Sequence, residues 1–145
     1  MICVVDASVA VKWFIGEETS AATQEDDVEK ALDLLHACAD ERVELLQPPH
    51  FLAEVGAVLA RLTPATAARQ LERLMALEIT WAGPTAAHLK AVELGIALNH
   101  HLFDTLYHAL ALSVPGAVMV TADRRFYDKA RTLGQIAWLA DFQPA

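Results

Sequence analysis

Four acidic residues of this 145-residue chain stand where solvation alone does not account for an acid: Asp6, Glu54, Asp104 and Asp123. Asp6 closes the apolar run Ile2-Cys3-Val4-Val5. Asp123 follows the similar run Ala117-Val118-Met119-Val120-Thr121, while Glu54 and Asp104 interrupt two otherwise apolar segments, 51–60 and 102–112. A carboxylate in apolar surroundings needs a partner, and four gathered at one place become tolerable around hard divalent cations, which take oxygen ligands. Each acid also has a plainer account. Asp6 is a good N-cap for a helix over Ala7 to Phe14, Glu54 would face outward from an amphipathic helix, and Asp104 in a first turn complements the helix dipole. The six histidines offer less: His100 and His101 are adjacent, and no H-E-x-x-H occurs. His100, Asp104 and His108 are four apart and align only if their helix begins early.

The elements that must position these acids alternate between strand-like and helix-like. Ile2 to Val5 is β-branched or small without polar alternation, the pattern of a parallel strand buried on both faces. A carboxylate after it lies at the strand's carboxyl end, where ligand crevices of open α/β sheets form. Gly16 to Ser20 reads as a turn, and Thr23-Gln24-Glu25-Asp26-Asp27 as the acidic start of a helix running to about Asp40. Its stripe is Val28, Ala31, Leu32, Leu35 and Cys38 or Ala39, with Glu25, Asp26, Glu29, Lys30 and Asp33 solvated. Val43 to Gln47 is a strand stopped by Pro48-Pro49, and a helix follows from His50. Thr63-Pro64 starts another helix with Pro at its first position, before a strand at Ile79-Thr80-Trp81. Gly83-Pro84-Thr85 opens a helix ending near Asn99, and His101 to Leu112, apolar nearly all round, is a central helix that walls in Asp104. Strands at Ala117 to Thr121 and Ile136 to Leu139 bracket a basic helix over 123–131.

Composition sets the class. Of a 54% apolar content, 27 residues are alanine, so a helix-rich α/β domain is expected, and the length fits a single domain over 1–145. With no basic leader or membrane-length apolar run read in the sequence, a cytoplasmic protein is expected. Cys3 and Cys38 have no metal-like spacing and read as core residues. A net charge of −8 argues against a broad basic face for nucleic acid, although acids around a metal have their local charge reversed by the ion.

Four stretches carry a resemblance: Val4-Val5-Asp6-Ala7-Ser8-Val9-Ala10-Val11-Lys12-Trp13-Phe14, Pro49-His50-Phe51-Leu52-Ala53-Glu54-Val55, Phe103-Asp104-Thr105-Leu106-Tyr107-His108-Ala109-Leu110-Ala111 and Val120-Thr121-Ala122-Asp123-Arg124-Arg125-Phe126. In order and separation they resemble the motifs of PIN-domain ribonucleases, in particular the VapC toxins of bacterial toxin-antitoxin pairs. The resemblance implies a three-layer α/β/α sandwich with a central, mostly parallel sheet of four or five strands. It implies an endoribonuclease using Mg²⁺ or Mn²⁺ held by Asp6, Glu54, Asp104 and Asp123, with Ser8 and Thr121 as supporting hydroxyls. Cations so held let a water attack an RNA phosphodiester in line. Arg124, Arg125 and Lys129 are expected on substrate phosphates, which position RNA without reading it. The partners implied are RNA, a small antitoxin protein and a second copy of the chain, with Trp13, Phe14, Phe51 and Leu52 as apolar docking surface. The alternative is a PIN-like module that has lost catalysis and binds RNA or protein.

Overall fold

In the computed structural model, which describes residues 1–15 and 27–145, the N-terminal run forms β1 (Ile2–Val5). Two short helical turns follow, α1 (Ala7–Ala10) and α2 (Lys12–Ile15), then α3 (Val28–Ala39), β2 (Glu44–Gln47), α4 (Phe51–Leu62), α5 (Ala67–Met75) and β3 (Ile79–Trp81). The chain continues through α6 (His88–Leu98), α7 (Leu102–Leu112), β4 (Val118–Thr121), α8 (Arg124–Ala130) and β5 (Ile136–Trp138). The expected turn at Gly16 to Ser20 and the cap at Thr23 to Asp26 lie outside the described residues. No helix among the described residues is long and apolar enough to cross a membrane.

The five strands form one parallel sheet in the order β3-β2-β1-β4-β5, within a three-layer α/β/α arrangement. The chain leaves β1 on one side through β2 and β3, then returns to its other side as β4 and β5. Connections therefore diverge from the carboxyl ends of β1 and β4, the switch point at which a crevice opens. β1 pairs with β4 in the register Cys3 to Val118, Val4 to Met119 and Val5 to Val120. One residue further along, Asp6 stands beside Thr121.

The sheet's centre is as apolar as the sequence requires. Cys3, Val4, Val5, Met119 and Val120 are wholly buried, and α7 packs on β1 and β4 with Thr105 to Ala111 buried. Cys3 is a core residue whose burial pushes its thiol up to about 12; Cys38, expected in the core, is only half-buried at its edge, and what burial it has pushes its thiol up to about 11.

Several expectations shift. The buried stripe of α3 is Val28, Ala31, Leu34 and Ala37, rotated from the expected one, with Leu34 wholly buried in the main core. Helix α5 starts at Ala67 rather than at Pro64, since Thr66, hydrogen-bonded back to Thr63, closes a turn first. Trp13, Phe14 and Phe51 are core residues, not docking surface, and Leu52 is half-buried. Phe103 is 62% exposed, so Asp104 is walled in by Leu106 and Tyr107 on one side only.

Candidate metal centre

Asp6 occupies the N-cap position of α1, but its side chain makes no capping hydrogen bond. Its backbone carbonyl accepts from Val9 and Ala10, which leaves the carboxylate for other work. The Ser8 hydroxyl donates to Oδ1, and the Thr121 hydroxyl donates to Oδ2 at 2.5 Å. Each hydroxyl also accepts, Ser8 from the amide of Ala122 and Thr121 from the amide of Asp123, both at 3.0 Å. The ends of β1 and β4 are thereby joined through a carboxylate that is only 4% exposed. Burial pushes the Asp6 carboxyl up to about 7; the two hydroxyls pull against that rise, and the charges of Asp104 and Asp123 add to it.

Asp123 caps α8, its Oδ1 accepting from the Phe126 amide at 3.2 Å. Asp104, in the first turn of α7, has Oδ2 at 2.7 Å from His100 Nε2. One ligand atom from each of His100, Asp104 and Asp123 lies within 4.8 Å of the others. Glu54, in the first turn of α4, stands 3.5 Å from His50 Nε2 and outside that trio, but it borders the same cleft. The cleft measures about 520 Å³ and is lined by all four acids together with Lys12 and Arg61.

Beneath it, the buried hydroxyl of Tyr107 has no hydrogen-bond partner among the described residues. Burial raises that phenol well above its ordinary range, and the charges of Glu54, Asp6 and Asp104 raise it further.

Lys12 and Arg61 are cleft residues that the sequence reading does not single out. Arg61 had a readable signal: with Glu54 and Val58 it follows the i, i+4, i+7 spacing of one helix face. His100 had the right spacing to Asp104 but not in a helix, for α7 begins only at Leu102, and the contact is made from the preceding loop. His108 turns away to the Gly134 carbonyl at 2.8 Å, and its burial lowers the imidazole's pKa, so the two histidines do not converge. Of the three cations expected on substrate, Arg124 lies over the Trp138 ring at 4.2 Å and pairs with Asp128 at 3.7 Å. Lys129 is turned to the Asn99 carbonyl, and Arg125 is exposed beside His101.

A donor set of carboxylate oxygens suits a hard divalent cation. A fully enclosed carboxylate facing two further acids is what such a cation would neutralise.

The sequence matches the PIN domain family over residues 3–132. The chain belongs to the PIN domain family. Its fold is similar to the crystal structure of VapC20 from Mycobacterium tuberculosis, described as a sarcin-ricin loop cleaving toxin, with a TM-score of 0.60 at 16% identity. The likeness covers 99% of this chain and 98% of that one. No curated protein matches the sequence significantly.

Within this PIN domain the Thr121 hydroxyl is the hinge of the site, since it serves Asp6 and the Asp123 amide together. Thr121→Val keeps the shape and removes both bonds. It is expected to destabilise the metal-free protein by about 1–3 kcal/mol in urea denaturation, the usual range for a buried polar group left unpaired. Thr121→Ser should recover most of the loss; a valine variant as stable as wild type would deny the hydroxyl this role.

Proposed function

We propose that this PIN domain is an endoribonuclease dependent on Mg²⁺ or Mn²⁺, and that it is the toxin of a toxin-antitoxin pair. The observation that carries the reading is the convergence of four acids from β1, α4, α7 and the end of β4 on one open cleft. Asp6, Asp104, Asp123 and Glu54 would hold the cation, which supplies when bound the positive charge that makes water a nucleophile at neutral pH. The protein's own part is to aim those oxygens. Ser8 and Thr121 fix both oxygens of Asp6, and the Phe126 amide fixes Asp123. Lys12 and Arg61 at the cleft, with Arg125 outside it, would bind backbone phosphates by charge. Arg124 and Lys129 serve chiefly to build the wall.

The chain acts in the cytoplasm with a second copy of itself and a small antitoxin. Support for docking lies in exposed apolar side chains of α6 and the start of α7, Leu89 at 85%, Ile96 at 78% and Phe103 at 62%. The description of VapC20 as a sarcin-ricin loop cleaving toxin makes an RNA carrying the sarcin-ricin loop a suitable first probe. Purified protein should cut it with Mg²⁺ or Mn²⁺ and leave it whole in EDTA. Cleavage that persists in EDTA, or no cleavage of any RNA with either metal, would sink the reading.

A further inference from the structure

His100 lies in the loop between α6 and α7, and the chain goes to some length to fix it there. Asn99 ends α6 in the left-handed region at φ 48°, and the His100 amide donates back to the Gly95 carbonyl at 3.0 Å. A Cβ on Gly95 would come within 3.2 Å of the His100 carbonyl oxygen, so this close approach uses the bare glycine. The imidazole is 5% exposed and packs on Phe126 with ring centroids 4.9 Å apart. Phe126 is the residue whose amide holds Asp123.

Both ring nitrogens are engaged. Nε2 is 2.7 Å from Asp104 Oδ2, and Nδ1 is 3.3 Å from the Lys129 ammonium, which also donates to the Asn99 carbonyl at 2.8 Å. An ammonium has only hydrogens to offer, so its contact with Nδ1 is a hydrogen bond when that nitrogen presents its lone pair. The ring proton then sits on Nε2 and points at Asp104. An Nε2 that carries a proton cannot ligate a cation, which sets His100 apart from the acids it touches.

We propose that His100 is a positioning residue of this site: Lys129 fixes the ring so that Nε2–H holds one oxygen of Asp104 and leaves the other to a divalent cation. The proposal rests on the metal-site reading above and adds a partner to the ligand set. It follows a general pattern, in which the groups that orient a ligating carboxylate contribute to metal affinity beyond the ligands themselves. It also explains why Lys129, a cation beside an acidic cleft, is spent on a loop carbonyl and an imidazole.

The test uses metal-free protein labelled with ¹⁵N on histidine, then Mg²⁺ alone, with no RNA. In the wild type, nitrogen shifts and ring couplings should place the His100 proton on Nε2, and that proton should persist when Mg²⁺ binds. Lys129→Met should spread the proton over both nitrogens. By calorimetry, His100→Phe should weaken Mg²⁺ binding about 10-fold or more, the effect typical of a lost supporting group. His100→Gln, whose amide can donate from nearly the same place, should hold Mg²⁺ to within a few-fold of wild type. Should His100→Phe fail to fold, the glutamine variant and the wild-type spectra still decide.

Three results would overturn the proposal: a proton on Nδ1 in the wild type, loss of the Nε2 proton on adding Mg²⁺, or equal weakening by both substitutions. The last two would make His100 a ligand. A protein that binds Mg²⁺ as described but cuts no RNA would fail the nuclease reading and leave the role of His100 standing.

Discussion

Asp6→Asn is expected to lower RNA cleavage by more than about 100-fold, beyond the 10–100-fold usual for groups that merely support a ligand, while stabilising the metal-free protein at neutral pH. The two effects have one origin. Asp6 is buried, its carboxyl pushed up to about 7, against 3.8 for an ordinary aspartate. Between those values the folded state binds the proton that the unfolded state has released, so stability falls as pH rises. The contribution is whole below the unfolded value near 3.8 and is lost progressively toward about 7. Asparagine is never ionised and keeps a carbonyl oxygen for one of the two hydroxyls. At pH 7.5 the variant should therefore be more stable by on the order of a few kcal/mol without metal, with the gain vanishing near pH 4. His108 acts in the opposite sense: its lowered pKa makes acid destabilising as pH falls through the imidazole range. Because His108 is common to both proteins, the difference between their denaturation curves isolates Asp6. A variant less stable than wild type at pH 7.5, or one that still cuts RNA, would remove Asp6 from the site.

The second large effect is on metal binding. A cation that binds only the folded protein stabilises it by mass action, about 2.7 kcal/mol at a hundred times the dissociation constant. For a chain of this size that corresponds to a rise of roughly 10 °C in melting temperature, at a few degrees per kcal/mol. The wild type should show such a rise between EDTA and saturating Mg²⁺, and Asp6→Asn and Asp123→Asn should show little of it. Relief of repulsion is expected at Asp6 rather than at Asp104, because Asp104 has the His100 hydrogen bond and a half-open position. A melting temperature indifferent to Mg²⁺ and Mn²⁺ in the wild type would contradict the metal centre.

What could be read from the sequence was whatever depends on periodicity. The strand runs Ile2 to Val5 and Val118 to Thr121 announce themselves by β-branched residues, and an acid follows the first directly and the second after one alanine. Helix α7 is legible from the apolar positions of Thr105 to Ala111, which the sheet then covers. Less legible was whatever depends on two segments meeting. Leu34 joins the buried stripe of α3 through the way that helix packs on α2 and the core, which one helix alone does not encode. Arg61 enters the cleft because α4 lies along it. His100 reaches Asp104 through a loop bent by Asn99 and Gly95, and four-residue spacing read as helix gave the right pair for the wrong reason. Arg124 and Lys129, adjacent to a site acid in sequence, turn toward Trp138 and Asn99, a choice that only neighbours in space determine.

The hydroxyl bridge between Asp6 and Thr121 spans 115 residues of sequence. On the ribosome, Asp6 emerges among the first residues, whereas the threonine that orients it and the aspartate beside it come near the end. At 5–20 residues per second, roughly ten seconds of synthesis separate them. Fragments released before Thr121 hold one to three of the four acids but not the bridge, so prematurely terminated chains lack the assembled site. A nuclease translated beside its own ribosome is thus assembled last at the place where it could do damage.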